Sequence, residues 1–272
     1  MKNSLREFQN IENKESDWNS NIAEEISNNG AVIIRNLIPK EDAVLLKSAL
    51  ENCIKEDEEN LGRDYLFFGM IHALMNRDQC FLDLLENKTI LQIMRTILGH
   101  GCIIHGYNSS SMPPTGTNFS RDIHVDCPRL VPNYITNVGL TIACTEFSDQ
   151  NGAMEIMPKS FCHKDAPKES TFSDEKVVLN NLSLGDAVLF NARCWHRGGN
   201  NKTNEWRHAV TMNVCRAYMR QQFDFPKMLG YDKTKMYSND LRQILGYNVR
   251  MPSSMEEFLY PAEKRLYQPG QE

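Results

Sequence analysis

A histidine and a carboxylate stand two residues apart in the stretch Arg121-Asp122-Ile123-His124-Val125-Asp126. In an extended segment alternate side chains share a face, so His124 and Asp126 point the same way. Two ligands on one face are half of a metal site. Far along the chain, Cys194-Trp195-His196-Arg197-Gly198-Gly199 offers a third. Two neutral imidazoles and one carboxylate form a facial triad that suits non-haem Fe(II) and leaves positions open for a co-substrate and O2. A bare His-x-Asp is a weak signal, because a surface histidine beside a solvated aspartate gives the same letters.

A second feature adds weight. Trp206-Arg207-His208-Ala209-Val210-Thr211-Met212-Asn213-Val214 reads as a strand. Val210, Met212 and Val214 form one face; Arg207, Ala209, Thr211 and Asn213 form the other. An arginine on the polar, inward face of a barrel needs an anion, and its planar fork matches a carboxylate through two hydrogen bonds. A surface salt bridge is the alternative for Arg207 taken alone.

These residues belong to a longer order. His-x-Asp is followed by Asn151-Gly152-Ala153-Met154-Glu155-Ile156-Met157-Pro158-Lys159-Ser160, by Leu184-Gly185-Asp186-Ala187-Val188-Leu189-Phe190, by Trp195-His196-Arg197-Gly198-Gly199-Asn200, and by Arg207. That order resembles the phytanoyl-CoA dioxygenase family, from about Asn29 to about Gly246. The resemblance implies an oxygenase dependent on Fe(II) and 2-oxoglutarate, with succinate and CO2 as co-products and hydroxylation of an unactivated C–H bond as the expected outcome. It implies that His124, Asp126 and His196 are the catalytic iron ligands and that Arg207 pairs with the far carboxylate of 2-oxoglutarate. Strand alternation with Met112, a position matched to a cofactor contact of the family, adds Asn108 and Ser110 as contacts of 2-oxoglutarate or substrate, and position in the family adds Thr141 as a cofactor contact. The chain departs from the family in two places. Phe161 follows Pro158-Lys159-Ser160 where a histidine is usual, and Met112 stands near the position of a lysine that some members use.

The expected substrate is a small soluble metabolite, with Arg121, Arg129 and Asn213 as candidate contacts. A CoA thioester carries several phosphate charges and calls for clustered Lys or Arg. Arg121, Arg129, Arg193 and Arg197 are instead spread over separate segments, where they suit one carboxylate or pair with nearby acids such as Asp122. An acyl-CoA substrate and a catalytically silent barrel used for binding are the rival readings. A cupin-type metal barrel is a third, although it should carry more histidines near the first pair.

The totals fit these expectations. The chain has 272 residues, 41% hydrophobic and 24% charged, enough for one large domain with a real core. A formal net charge of −5 argues against a nucleic-acid or anionic-membrane surface. None of the eight cysteines forms a Cys-x-x-Cys pair, so a structural zinc site is not expected. No apolar signal core opens the chain and no run reaches transmembrane length, which points to a reducing cytoplasm with free thiols.

The elements that must position the site follow from pattern. Residues 1–16 are polar and ordered only by docking. Ser16-Asp17 caps a helix to about Asn28, Ala31–Ile34 is a buried strand, and a helix opens at Pro39. Helices are expected over 78–86 and 88–98, strands over 103–111 and 138–147, and a further strand from the turn at Leu184-Gly185-Asp186 to about Asn191. Asn108 and Ser110 share a face with Met112, and His105 faces the other way, into packing. Residues 163–176 read as a long polar loop, and Ser238–Leu245 as a helix. The expected fold is mainly β with peripheral helices: a double-stranded β-helix, or cupin-like jelly roll, in a single domain over 1–272. Its helical N-terminal part covers about 1–100, the β-helix core about 101–216 and a helical tail about 217–272. The oligomeric state is left open.

Overall fold

The computed structural model describes residues 4–10, 17–64 and 67–265. The expected cap Ser16 and the C-terminal residues 266–272 lie outside them. The strands are β1 (Arg6–Gln9), β2 (Ala31–Arg35), β3 (Ile103–Ser109), β4 (Asn137–Ala143), β5 (Met154–Ile156), β6 (Val177–Val178), β7 (Ala187–Asn191), β8 (His196–Gly198) and β9 (Ala209–Cys215). They form a six-stranded sheet in the order β1-β2-β7-β4-β9-β3 and a three-stranded sheet in the order β6-β5-β8. Among the described strands only the β1–β2 pair is parallel. Helices α1 (Trp18–Asn29), α2 (Lys40–Leu61), α3 (Gln79–Leu85), α4 (Lys88–Leu98), α5 (Glu169–Glu175), α6 (Phe225–Leu229), α7 (Asn239–Ile244) and α8 (Met255–Phe258) complete the described chain. Helices hold more of the described residues than strands do. The architecture is therefore a mixed sheet with helices rather than mainly β.

The period-2 pattern of the central strands divides the large sheet into two faces. Leu140 and Ile142 of β4, Leu189 of β7, and Val210, Met212 and Val214 of β9 pack against α1, α2 and α4 in one core. Helix α4 buries Ile90, Leu91, Ile93, Met94, Ile97 and Leu98 there, each contributing about 1.5–3 kcal/mol. Ile33, Ala143, Val188 and Phe190 face the other way and join Met154 and Ile156 of the small sheet in a second core. The inner face changes from apolar to polar toward β3 and β9, and the site lies there.

One expectation gains detail and one needs correction. The polar N-terminus docks as an edge strand. Arg35 holds it by hydrogen bonds to Glu7 (3.0 Å) and to the buried Asp186 (2.8 Å). Asp186 of the Leu-Gly-Asp motif therefore works as a structural anchor. The 163–176 segment contains α5 rather than loop alone, because Phe172 gives it one buried anchor. The acidic run at Glu56-Asp57-Glu58-Glu59 is the solvated end of α2, where Arg77 binds Glu56 and Asp57.

Candidate metal centre and its arginine

The segment bearing His124 is extended, but it pairs for one residue only. His124 N–H donates to the His196 carbonyl (2.9 Å) and His196 N–H donates back to the His124 carbonyl (3.0 Å). This reciprocal bridge sets the two imidazoles side by side, with ring centroids 4.3 Å apart. Two residues on, Asp126 N–H is tied to the Ala192 carbonyl (3.0 Å), which turns its side chain toward both rings. Asp126 Oδ1 lies 3.6 Å from His124 Nε2 and 3.5 Å from His196 Nε2. One ligand atom from each of the three lies within 4.8 Å of the others.

Both imidazoles are oriented from behind. Nδ1 of His124 is 2.7 Å from the Asp122 carbonyl, and Nδ1 of His196 is 3.0 Å from the Cys194 carbonyl. A carbonyl only accepts, so in each ring Nδ1 carries the hydrogen and the Nε2 lone pair is left for a metal. Electrostatics favour that state at His196; at His124 burial, which lowers the pKa, is outweighed by the Asp126 carboxylate, which raises it, so a cation binding there displaces a proton from that ring. Burial holds His196 neutral by pulling its pKa to about 4. Burial pushes the Asp126 carboxyl up, but the two histidines outweigh it and keep the group ionised. Neutral imidazoles and a carboxylate fit a divalent first-row cation.

The turn before His196 is held by Ser160, which is fully buried. Its hydroxyl donates to the Met157 carbonyl (2.6 Å) and accepts from Trp195 N–H (2.9 Å). The Pro-Lys-Ser segment thus keeps its structural serine although a histidine is missing one residue later.

Arg207 enters from the strand edge, bridged to Met112 by two backbone hydrogen bonds (2.8 and 3.1 Å). It is 1% exposed. Its guanidinium donates to the carbonyls of Ser110 (2.7 Å) and Gly152 (3.0 Å) and lies over the Phe147 ring at 4.6 Å. Nε has no partner among the described residues, and no carboxylate pairs with this cation. Burial pulls its pKa down to about 9. A buried cation held only by carbonyls and a ring is costly until an anion joins it.

His124, Asp126, His196 and Arg207 all line one cavity of about 230 Å³. Asn108, Ser110, Thr141 and Asn213 line it too. Thr141 and Thr211 face each other across β4 and β9 with their hydroxyls 3.2 Å apart. Arg121 and Arg129 are not brought to this cavity. Arg121 is exposed, 3.8 Å from Asp122, and lines an adjoining cleft on the far side of Arg197 and Gly198. Arg129 is exposed in the segment before β4. Arg193 and Arg197 are already occupied. The first donates to the carbonyls of Pro128 and His163; the second pairs with Glu155 (2.7 Å) and Glu169 (2.9 Å). Sequence reasoning missed His105 and Gln222, which also line the cavity. Strand alternation sends His105 the wrong way because a β-bulge, invisible in the letters, lies between Ile104 and Gly106.

A His–Asp–His triad between two sheets, with a buried unpaired arginine beside it, defines a candidate non-haem metal centre. Comparison with known proteins places it. The family model for phytanoyl-CoA dioxygenase matches residues 26–209, and the chain belongs to that family. An uncharacterized Mycobacterium tuberculosis protein, Rv1501, is 28% identical over 208 residues, covering 75% of this chain and 76% of the relative. The dioxygenase af480 of Aspergillus fumigatus is 23% identical over 206 residues, covering 71% and 65%. Among solved structures, AviO1 from Streptomyces viridochromogenes shares the fold with a TM-score of 0.59 at 18% identity, over 72% of this chain and 94% of that one. The nickel complex of the non-heme monooxygenase ThoJ gives 0.58 at 17%, over 72% and 78%. The chain is thus an oxygenase by family, and these solved structures share its fold. No helix among the described residues is long and apolar enough to cross a membrane, and all eight cysteines are free.

Proposed function

We propose that this chain is an Fe(II)- and 2-oxoglutarate-dependent oxygenase that hydroxylates an unactivated C–H bond of a small-molecule metabolite, with succinate and CO2 as co-products. The observation that carries the reading is Arg207: a fully buried guanidinium without a counter-anion, in the same cavity as the His–Asp–His triad. A dicarboxylate that chelates a metal at one end and ends in a carboxylate at the other satisfies both features at once. His124, Asp126 and His196 would hold iron, which when bound supplies the O2 chemistry. Arg207 binds and orients the far carboxylate. The polar wall of Asn108, Ser110 and Thr141 sits beside it, and the apolar ring of Phe190 limits water next to His196.

On this reading the two sheets are the halves of a double-stranded β-helix within one domain, working in the cytoplasm on a soluble substrate. No membrane or nucleic-acid partner is involved. Arg121 and Arg129 would touch substrate only outside the cavity.

The test is anaerobic. Protein reconstituted with Fe(II) should develop a weak visible absorption band on addition of 2-oxoglutarate, and succinate should form once O2 is admitted. A folded, iron-loaded protein that gives neither would put the silent binding barrel ahead.

A further inference from the structure

The polar end of the cavity carries a recognition surface that neither the triad nor Arg207 uses. Its origin is the bulge in β3. Ile104 pairs with Val214 of β9, and the next pair is Gly106 with Asn213. His105 is the extra residue. Strict alternation would send its ring into the helix-covered core on the side of Tyr107; the bulge brings it to the cavity beside Gly106 and Asn108. Bulges near active sites commonly re-aim one side chain in this way.

The ring stands outside the group of three residues that could hold a metal, and it is fixed by a contact of its own. Its Nδ1 lies 2.6 Å from the Arg220 carbonyl, so Nδ1 carries the hydrogen and donates. In the neutral ring Nε2 is then an acceptor. No hydrogen bond from another described residue reaches it. Its strand neighbour across the sheet offers the opposite polarity. Asn213 is 8% exposed, and its Oδ1 accepts from Asn137 Nδ2 at 2.9 Å, which leaves its own amide hydrogens as donors. Gln222 closes this end. Its carboxamide lies over Gly106, where a Cβ would come within 2.9 Å of Oε1, and the Gln222 backbone N–H donates to the His105 carbonyl at 2.7 Å.

Charge narrows the ligand class. Arg197, the other arginine lining the cavity, is matched by Glu155 and Glu169. If Arg207 holds the co-substrate, no unmatched arginine or lysine among the described lining residues remains for an anionic substrate. Neutral groups with one acceptor and adjacent donors select a neutral ligand that presents both polarities, because an unpaired charge in such a site would be desolvated without compensation.

We propose that His105 and Asn213 form the substrate-recognition pair, and that the substrate is a small uncharged molecule presenting a hydroxyl or a primary or secondary amide to them. This rests on the oxygenase reading, which assigns Arg207 to 2-oxoglutarate. The test uses Zn(II)-loaded protein with saturating 2-oxoglutarate and ligand-observed NMR. The probes are matched pairs: N-acetyl amino acids against their N-acetyl amides, and aldonic acids against the corresponding sugar alcohols, with one acyl-CoA. Co-substrate binding is measured separately by calorimetry, so its absence sinks the oxygenase reading and not merely this one. With 2-oxoglutarate bound, the uncharged members should bind at least ten-fold more tightly than their acids. His105→Phe should remove that preference while leaving 2-oxoglutarate affinity unchanged, and His105→Gln, which restores an acceptor, should recover part of it. Circular dichroism and melting curves check that each variant is folded. Preference for the acids or the acyl-CoA, no binding by any uncharged probe, or a preference that survives both His105→Phe and Asn213→Ala overturns the proposal.

Discussion

The ring of Phe190 lies on the bare backbone of Gly139: a Cβ at that glycine would come within 2.2 Å of the ring. The two residues pair across β4 and β7. The same ring meets the imidazole of His196 at 5.0 Å, inclined by 61°. A missing side chain on one strand thus makes room for the ring that supports a metal-ligand candidate on another element.

Gly139→Ala should therefore act on the site without touching it. Phe190 is 1% exposed and lines the cavity beside His196, so an added methyl would push the ring toward the site, and overpacking should cost about 1–3 kcal/mol. We expect a lower melting temperature and weaker divalent-metal binding, with Phe190→Leu in the same chain restoring part of both. Calorimetric titration with Co(II) checks this; wild-type affinity in a folded Gly139→Ala protein would contradict it.

His124→Ala, Asp126→Ala and His196→Ala should each abolish turnover and weaken metal binding. Two remaining ligands do not hold a facial site, and each loss also frees a neighbour whose orientation depended on it. Metal content after gel filtration and single-turnover succinate yield are the readouts. A fully active Asp126→Ala enzyme would remove the metal assignment.

Arg207→Met keeps much of the volume and removes the charge. Loss of a charge-assisted contact of about 1.5–3 kcal/mol should raise the 2-oxoglutarate requirement about ten- to hundred-fold. Metal affinity should stay near wild type, because the guanidinium bonds to Ser110 and Gly152 and not to the triad. Unchanged co-substrate affinity would mean that another group holds that carboxylate.

His208 should make the fold acid-sensitive. It is 1% exposed, with Ser111 Oγ 3.0 Å from its Nδ1. Burial, reinforced by the charges of Lys47 and Arg207, pulls its pKa from 6.5 to about 4. Glu51, half exposed and 3.7 Å from Nε2, is too well solvated to reverse this. Between those two values the unfolded chain takes up a proton that the folded chain refuses. Stability is complete above pH 6.5, falls as pH drops through the window, and levels off near 4. The loss is on the order of 3 kcal/mol. In metal-free protein His196, also near 4, acts with the same sign. Urea midpoints measured from pH 7 to 4 (roughly the span over which a histidine so shifted titrates) should show a shallower slope for His208→Gln than for wild type; equal slopes would refute the assignment.

Much of this site was legible in the letters because period-2 alternation is a local rule. It correctly placed His124 with Asp126, and Arg207 with Thr211 and Asn213. It also placed Asn108 with Ser110. The same rule failed at His105, where one extra residue in β3 shifts the phase and nothing in Ile103-Ile104-His105-Gly106 announces it. The arginines failed for a different reason. Whether Arg193, Arg197 or Arg207 is matched depends on carbonyls and carboxylates brought together by the fold, and spacing along the chain does not encode such partners. Strand β1 was missed because its order comes from pairing with β2 and from the Arg35 contacts, not from its own polar sequence.

The reciprocal backbone bridge between His124 and His196 has a kinetic corollary. It joins segments distant in the chain through one residue pair, backed by the Asp126 and Cys127 amides on the Ala192 carbonyl, so it closes a long loop for few hydrogen bonds and belongs among the last contacts to form. Left alone, such a pair is a natural place for local opening. A cation shared by the two side chains would act as a clasp on that opening, since it binds the closed form only. The amide hydrogens of these two residues would then exchange with deuterated solvent more slowly when metal is bound, and their protection would report occupancy of the centre in protein that never turns over.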